Sequence, residues 1–139
     1  MTDTTYDKFL PEGIPAWQMP FWESLRDRQA KVQRCDRCGS YRFIPKERCP
    51  KCLAAEASWA PISGNGRIYT YTVVHRAPTP AYQAEVPYVI VHVTMEEGIR
   101  MASMIRGIEP SEVHIDLPVR LTYEDATPEW TLFYFERAG

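Results

Sequence analysis

Four cysteines occur as two closely spaced pairs, and cysteine thiolates are strong metal ligands. The first pair is Cys35 and Cys38, the second is Cys49 and Cys52, and ten residues separate the pairs. Each Cys-x-x-Cys segment can form a tight turn whose backbone amides point at sulfur, and Gly39 tolerates the left-handed conformation that follows such a turn. Four thiolates at about 2.3 Å complete a tetrahedral shell. The spacing therefore predicts one structural zinc ion.

Other interpretations of the cysteines stay open. An iron ion would accept the same four thiolates, and four buried cysteines without metal would also fit the pattern. Disulfides fit less well, because the segment from Met1 to Phe9 lacks the basic opening and the apolar stretch of a secretory signal. We therefore expect a cytoplasmic protein, in whose reducing environment paired cysteines are better metal ligands than disulfides.

No membrane-spanning segment is expected. The longest apolar runs, Val89 to Val93 and Leu132 to Phe135, are far shorter than the roughly 20 residues that cross a bilayer as a helix.

The remaining reactive side chains form no recognisable catalytic motif. The histidine and serine candidates are His75, His92, His114, Ser103 and Ser111. None of them stands in a nucleophile elbow or in a spaced acid/base pair. Gly64 and Gly66 precede a predicted strand, so they cannot cradle phosphate at a helix N-terminus. We therefore predict no catalytic residue and expect that the chain is not an enzyme by itself.

Segments on both sides of the cysteines predict the elements that position them. Residues 1–19 show no sustained period and suggest an irregular arm, whereas Pro20 opens a short amphipathic pattern that predicts a helix. After the cysteines, β-rich stretches bounded by turn residues predict five strands, over 67–75, 88–95, 99–105, 119–124 and 130–136. The short turn at Glu96-Glu97-Gly98 predicts an antiparallel hairpin of the second and third strands.

The number and spacing of these strands favour one fold class. Five short strands with the longest connection between the third and fourth match an OB-fold barrel better than a sandwich, and 139 residues can bury one modest core. We predict a mainly β protein in three parts. They are an N-terminal arm and helix at 1–32, a zinc ribbon at 33–58 and an OB-fold domain at 59–139.

The order of these motifs resembles that of a known family. It runs from Pro20-Phe21-Trp22-Glu23-Ser24-Leu25 through the two cysteine pairs and Trp59 to Gly66–Thr72 and Pro118–Leu121. It is similar to acyl-CoA-associated proteins that join a helical arm, a rubredoxin-like zinc ribbon and a C-terminal OB-fold, long catalogued as a domain of unknown function. The resemblance covers nearly the whole chain. Only the four zinc ligands carry over position by position.

The resemblance also implies a function and a partner. Members of that family look like non-catalytic accessory subunits of thiolase-superfamily enzymes, which include thiolases and lipid-transfer-protein-like aldolases that cleave steroid side chains. It implies a hetero-oligomer in which this chain helps to form or shield the partner's acyl-CoA site. The acyl-CoA would then be a ligand shared by both subunits.

Charge is unevenly distributed around the cysteines. Residues 26–51 carry a net charge of +6, so the remainder carries −8, which favours a localised anionic ligand or partner surface. We infer that five ribbon side chains contact the phosphates of coenzyme A, namely Arg37, Arg42, Lys46, Arg48 and Lys51. Tyr41 or Phe43 would pack on its adenine. Ordinary solvated surface is the alternative interpretation of this charge.

Two other functions stay open. OB-folds and zinc ribbons bind single-stranded nucleic acids through aromatic side chains in basic grooves, but here the acidic part of the chain would repel phosphate. An independent enzyme acting on acyl thioesters would need an activated nucleophile that the sequence does not contain.

Overall fold

A short helix leads into two β-sheets. The computed structural model describes residues 6–138, so the first five residues of the arm predicted over 1–32 and the last residue of the predicted 59–139 domain lie outside the described residues. The elements are α1 (Met19–Arg26), β1 (Lys31–Cys35), β2 (Tyr41–Arg42), β3 (Ala57–Pro61), β4 (Asn65–Val74), β5 (Tyr88–Met95), β6 (Arg100–Arg106), β7 (Pro118–Asp125) and β8 (Thr131–Arg137). Within residues 6–138, no helix is long and apolar enough to cross a membrane.

Helix α1 begins beside Pro20, whose missing N–H costs nothing in the first turn of a helix. Its buried residues are Phe21, Ser24 and Leu25, which lie on one face because they are three and four positions apart. The Ser24 hydroxyl donates to the Phe21 carbonyl and accepts the Lys31 backbone N–H at 2.9 Å. This serine therefore ties the helix to the first strand of the ribbon.

The ribbon is a three-stranded antiparallel sheet in the order β2-β1-β3. Strand β1 lies in the centre, pairing Gln33 with Arg42 on one side and with Trp59 on the other. The sheet begins at Lys31 and ends at Pro61, two residues before and three residues after the predicted ribbon range of 33–58. Strand β3 was not among the predicted strands, since its short Ala-Ser-Trp-Ala-Pro sequence has no clear period.

The second sheet is a closed barrel in the order β4-β5-β6-β8-β7. Its strands pair antiparallel except β6 and β8, which are parallel. All five predicted strands are present, with ends within two residues of the predicted ones, and the hairpin of β5 and β6 is confirmed. At Gly66 an added Cβ would lie 2.5 Å from the Val93 side chain and 2.6 Å from the Thr94 carbonyl oxygen. Only glycine permits this approach of two strands.

The helix, the ribbon and the barrel share one apolar core. The Phe21 ring meets Phe43 of the ribbon edge-on at 5.1 Å and Phe133 of β8 at 5.8 Å between ring centroids. Val32 of β1 and Ile62 after β3 belong to the same buried cluster. Burying one such side chain contributes about 1.5 to 3 kcal/mol, so these contacts hold the ribbon at a fixed place on the barrel.

Candidate metal centre and adjoining cavity

The four predicted cysteines converge at one end of the ribbon. Their sulfur atoms all lie within 4.8 Å of one another, and the Cys35–Cys52 and Cys38–Cys49 sulfur pairs are each 3.5 Å apart. A tetrahedral shell with metal–sulfur bonds of about 2.3 Å has sulfur–sulfur separations of about 3.8 Å. The observed cluster therefore fits one ion after small shifts of the sulfur atoms.

Both Cys-x-x-Cys segments form the same kind of turn. The Gly39 N–H donates to the Cys35 carbonyl and the Leu53 N–H donates to the Cys49 carbonyl, each at 3.0 Å. Gly39 and Leu53 both have positive φ angles, 78° and 66°. The first turn uses the residue that tolerates this conformation at no steric cost, whereas the second holds it with a leucine. Sequence inspection finds the first turn through its glycine, but nothing in Leu53 indicates the second.

Backbone amides favour thiolates within each turn. At Cys49 the N–H groups of Cys52 and Lys51 point at sulfur and lower its pKa to about 6, against an ordinary value of 9.0. The N–H groups of Cys38 and Arg37 likewise lower the pKa of Cys35. Hydrogen bonds to a charged form stabilise that form, so each turn is prepared to carry negative charge.

The fourth sulfur shows why four thiolates at this site require a cation. At Cys52 the Ala54 N–H lowers the pKa, but the Cys35 sulfur, burial, and the Cys38 and Cys49 sulfurs together outweigh it and raise the pKa to about 11. Adjacent thiolates repel one another, so they cannot all ionise without a compensating charge. A divalent cation supplies that charge, and the all-thiolate donor set suits zinc.

Arg42 does not belong among the candidate phosphate contacts. Its side chain is 1% exposed, and its guanidinium donates to the carbonyls of Lys46 at 3.2 Å, Ala54 at 3.0 Å and Glu56 at 3.4 Å. Strand β2 turns this residue inward. A strand of two residues is too short to show an alternating pattern, so the sequence does not indicate which way Arg42 points. The prediction for Arg42 is therefore corrected: it braces the segments on either side of the second cysteine pair.

The other four predicted basic side chains are exposed on the ribbon, namely Arg37, Lys46, Arg48 and Lys51. Of these, Lys46 lines a cavity of about 870 Å³, and Arg48 donates to the Leu53 carbonyl at 3.0 Å. The predicted adenine platforms are partly occupied, because Arg34 stacks over Tyr41 at 5.1 Å and Phe43 packs against Phe21.

A cavity of about 870 Å³ lies where the arm, α1, the ribbon and the outer surface of the barrel meet. Its apolar lining comes from all four parts and includes Phe9, Ile14, Phe21, Trp22, Phe43, Ile44, Leu132 and Phe133. Polar side chains along it are Gln18, Lys46, His92, Arg100 and Ser103. Sequence reasoning did not find this cavity, since its lining residues extend from Phe9 to Tyr134 and no local pattern brings them together.

The histidine and serine candidates do not assemble into a catalytic set within residues 6–138. His92 is exposed on the cavity wall, and the Ser103 hydroxyl donates to the Phe133 carbonyl at 2.7 Å. His75 and Ser111 lie elsewhere on the surface, and His114 contacts the Ile115 carbonyl. No imidazole is hydrogen-bonded to either serine in this part of the chain.

A four-cysteine ribbon fixed on a closed five-stranded barrel defines a zinc-ribbon and OB-fold protein. Residues 22–56 match the family described as "ChsH2, rubredoxin-like zinc ribbon domain", and residues 59–124 match "ChsH2, C-terminal OB-fold domain". A DUF35 domain-containing scaffold protein of Methanocaldococcus jannaschii is 36% identical over 104 residues, 73% of this chain and 73% of that protein. The chain belongs to this ChsH2-type DUF35 family, as the resemblance implied.

Other similar proteins carry enzyme-subunit names. A solved structure described as "Ltp2-ChsH2(DUF35) aldolase" contains a chain that is 35% identical, with a TM-score of 0.81 over 91% of this chain and 98% of that one. A probable enoyl-CoA hydratase alpha subunit of Thermomonospora curvata is 37% identical over 119 residues, 85% of this chain. This chain spans only 37% of that subunit's length. The benzoylsuccinyl-CoA thiolase subunit BbsA of Thauera aromatica is 27% identical over 94 residues, 66% of this chain and 61% of the subunit.

Proposed function

We propose that the chain is a non-catalytic accessory subunit that binds a thiolase-superfamily enzyme, a thiolase or a lipid-transfer-protein-like aldolase, and helps to form its acyl-CoA site. The names of its relatives support this, since they include scaffold proteins, a thiolase subunit and a chain in an aldolase complex. The observation that carries the proposal is the open apolar cavity beside the four-cysteine ribbon, with cations near it and no acid/base pair among the described residues.

The four cysteines would hold one structural zinc ion, with every ligand position filled by sulfur. Such an ion contributes folding free energy and leaves no open position for substrate. In this chain its effect would be to hold the two turns together, and with them the ribbon segment from Phe43 to Lys46 that forms one wall of the cavity.

An acyl-CoA fits the chemistry of this region. Ligand pockets usually measure about 300 to 1,000 Å³ and are mostly apolar with a few polar groups, which describes the cavity of about 870 Å³. Its apolar wall would pack against the pantetheine arm or the acyl chain. Lys46 on its lining, with Arg37, Arg48 and Lys51 exposed on the same ribbon, would attract the phosphates. The cavity is open, so a partner's surface would complete it.

The role is proposed as non-catalytic because the serine hydroxyl on the cavity wall is not hydrogen-bonded to a base that could activate it. The Ser103 hydroxyl donates its hydrogen bond to the Phe133 carbonyl, so it is not aligned with a base. A subunit of this kind would act by positioning acyl-CoA and by excluding water, while the partner supplies the reacting groups.

Co-purification tests the proposal. An affinity-tagged chain expressed in its native host should retain a thiolase-superfamily subunit in stoichiometric amount, and the reconstituted pair should turn over acyl-CoA while the isolated chain does not. Turnover by the isolated chain that Ser103→Ala or His92→Ala abolishes would overturn the non-catalytic role. Retention of single-stranded nucleic acid without an enzyme subunit would favour the alternative function.

A further inference from the structure

A second, smaller cavity lies beside the cavity of about 870 Å³ on the outer surface of the barrel. It measures about 380 Å³. Four barrel residues line both cavities, namely Ala102, Ser103, Leu132 and Tyr134. They belong to β6 and β8, which pair with each other only at the last two residues of β6, Ile105 and Arg106. Both cavities therefore lie over one shared floor, formed where these two strands have not yet paired.

The N-terminal arm separates the two cavities. Leu10 lines the larger one, Lys8 lines the smaller one, and Phe9 lines both. Consecutive residues of the arm therefore pass from one cavity to the other across the shared floor. Residues 6–10 belong to no helix or strand, and in the described structure no backbone–backbone hydrogen bond joins them to a barrel strand. Their position depends on side-chain contacts.

Lys8 makes the charged contact that holds this segment. Its Nζ atom lies 3.1 Å from Oε2 of Glu85 and 5.7 Å from the centre of the Tyr82 ring. Both partners belong to the connection between β4 and β5. The Oε2 atom of Glu85 is buried, and a buried charge is costly unless an opposite charge compensates it. The ion pair therefore favours the position of the arm across the floor.

Phe9, in contrast, gains little from its place between the cavities. It is 70% exposed, and its ring centroid lies 6.2 Å from that of Tyr82 in a tilted arrangement. The free energy gained by an apolar side chain scales with the area that it buries, so moving Phe9 away costs little. Once Lys8 leaves Glu85, the other contacts of Phe9 do not hold the segment in place.

We propose that residues 6–10 form a displaceable partition, which the Lys8–Glu85 ion pair holds across the floor and whose release joins the two cavities into one longer groove. The ligand that would use the longer groove is an apolar chain that extends beyond the larger cavity. Resting on the proposed function, this chain is the acyl group of acyl-CoA, and the partition sets the acyl length that fits. The smaller cavity offers it Ile90, Met104 and Tyr88.

Proteolysis of the full-length chain tests the partition without a ligand. Under native conditions, the rate at which chymotrypsin cleaves after Phe9 tracks the fraction of molecules in which the arm is displaced. Lys8→Met and Glu85→Gln should each raise this rate about two- to fivefold, the range for a partly exposed ion pair. Each rate is divided by that of the matching peptide of residues 1–14, which corrects for the changed sequence beside the cleaved bond.

Two further variants make the proteolysis specific. The double variant Lys8→Met with Glu85→Gln should be cleaved no faster than either single variant, because both changes remove the same ion pair. Lys31→Met removes an equal charge from an exposed position on β1 and should be cleaved at the wild-type rate. Wild-type cleavage rates in both single variants, or additive effects in the double variant, would overturn the proposed role of this pair.

A series of straight-chain acyl-CoAs from butyryl-CoA to palmitoyl-CoA tests the length limit, with tryptophan fluorescence as the readout because Trp22 lines the larger cavity. Wild-type affinity should rise with acyl length and then level off. In Glu85→Gln and Phe9→Ala it should continue to rise beyond that length, by about fourfold per added methylene. The matched control is Ile115→Ala, which removes a 51% exposed side chain that lines neither cavity and should keep the wild-type limit.

The two kinds of failure are distinguishable. Binding with the same length limit in the wild-type chain and both variants would overturn the partition while leaving the proposed acyl-CoA site intact. Absence of binding by all of these proteins would contradict the acyl-CoA site and the length limit together. Faster cleavage of the single variants would then still support a displaceable arm.

Discussion

Arg42 shows how one side chain can hold a metal module together. Its buried guanidinium spans three carbonyls, two of which follow the second cysteine pair. Hydrogen bonds from a charged group are worth about 1.5 to 3 kcal/mol each, and here they add to the backbone N–H groups of Cys49 and Asp36 that the Ala54 and Glu56 carbonyls also accept. The residue therefore stabilises the conformation of the segment that carries Cys49 and Cys52.

Replacing Arg42 by methionine should destabilise the ribbon by about 2 to 4 kcal/mol, since methionine fills similar space but donates no hydrogen bond. Thermal unfolding and competition for zinc with a chelator would measure the loss. The matched control is Arg37→Met, which removes the same charge from an exposed position and should change both measurements little. An Arg42→Met protein with wild-type zinc affinity would show that the three hydrogen bonds contribute nothing to the site.

Residue identity predicted the metal ligands but not the surroundings of Arg42. The Cys-x-x-Cys spacing is enough to predict a metal site, because a four-residue turn brings its two sulfurs together wherever it occurs. For arginine, type and position say nothing about exposure when the strand is only two residues long. The charge of Arg42 suggested an anionic ligand, whereas in the fold its two terminal guanidinium nitrogens donate to carbonyl groups of the ribbon itself.

At the scale of elements, the two cysteine turns depend on the metal more than the barrel does. In the described structure the buried apolar cluster at the cysteine turns has only three residues, Cys35, Cys49 and Ala54, whereas the barrel belongs to a much larger apolar core. Cys38→Ser or Cys49→Ser should lower zinc content from about one per chain and increase hydrogen exchange over residues 33–54. Exchange in β5 and β6 should change little. Full zinc content in either variant would contradict the four-cysteine site.

An ion pair between the end of α1 and strand β7 depends on pH. Arg28, just after α1, donates two hydrogen bonds to the Asp125 carboxylate at 2.9 and 3.1 Å, and Thr131 donates a third. These hydrogen bonds lower the pKa of Asp125 from 3.8 to about 2, and the contribution from Arg28 is larger than that from Thr131. A lowered carboxyl pKa stabilises the fold above pH 3.8, and that stabilisation is lost as the pH falls toward 2.

The Arg28→Ala variant should therefore move the pKa of Asp125 upward, which a carboxyl-carbon NMR titration would follow. The control is Arg26→Ala, because Arg26 lies near the same carboxylate but donates only to the Pro128 carbonyl. An unchanged Asp125 pKa in the Arg28 variant would show that the ion pair does not persist in solution.

Local patterns predicted most elements, and long-range contacts decided the rest. Strands β4 to β8 follow alternation and turn residues, so their ends were predicted within two residues. Strand β3 was missed because it is stabilised by pairing with β1, from which it is separated by the whole metal module. The cavity was missed for the same reason, since the arm, Phe43 and Leu132 meet only after the sheets have formed.

At the scale of the whole molecule, the opposite charges of the two parts favour a defined orientation on a partner. Residues 26–51 carry +6 and the remainder −8, so basic charge is concentrated in the segment that includes Lys46 on the cavity lining. Such a distribution accelerates and orients encounters with a partner of complementary charge. Because exposed charges are screened beyond about 8 Å at physiological ionic strength, association with the enzyme subunit should weaken as salt is added.

Charge reversal separates direct contact with acyl-CoA from this general attraction. Lys46→Glu reverses a charge on the cavity lining, and Lys31→Glu reverses one at the end of β1 that lies away from the cysteines. Both residues are exposed, so neither variant should unfold the barrel. If Lys46 contacts phosphate in a partly desolvated site, its reversal should cost about 1.5 to 3 kcal/mol, which is tenfold or more in acyl-CoA affinity of the complex. A fully exposed contact would cost less than about 1 kcal/mol.

The Lys31 variant should change the salt dependence of partner binding with little effect on acyl-CoA affinity. Calorimetric titration of acyl-CoA into the reconstituted complex measures the acyl-CoA affinity, and titration of the chain into the enzyme subunit at low and high salt measures partner binding. Equal losses of acyl-CoA affinity in the two variants would show that Lys46 acts only through the general field.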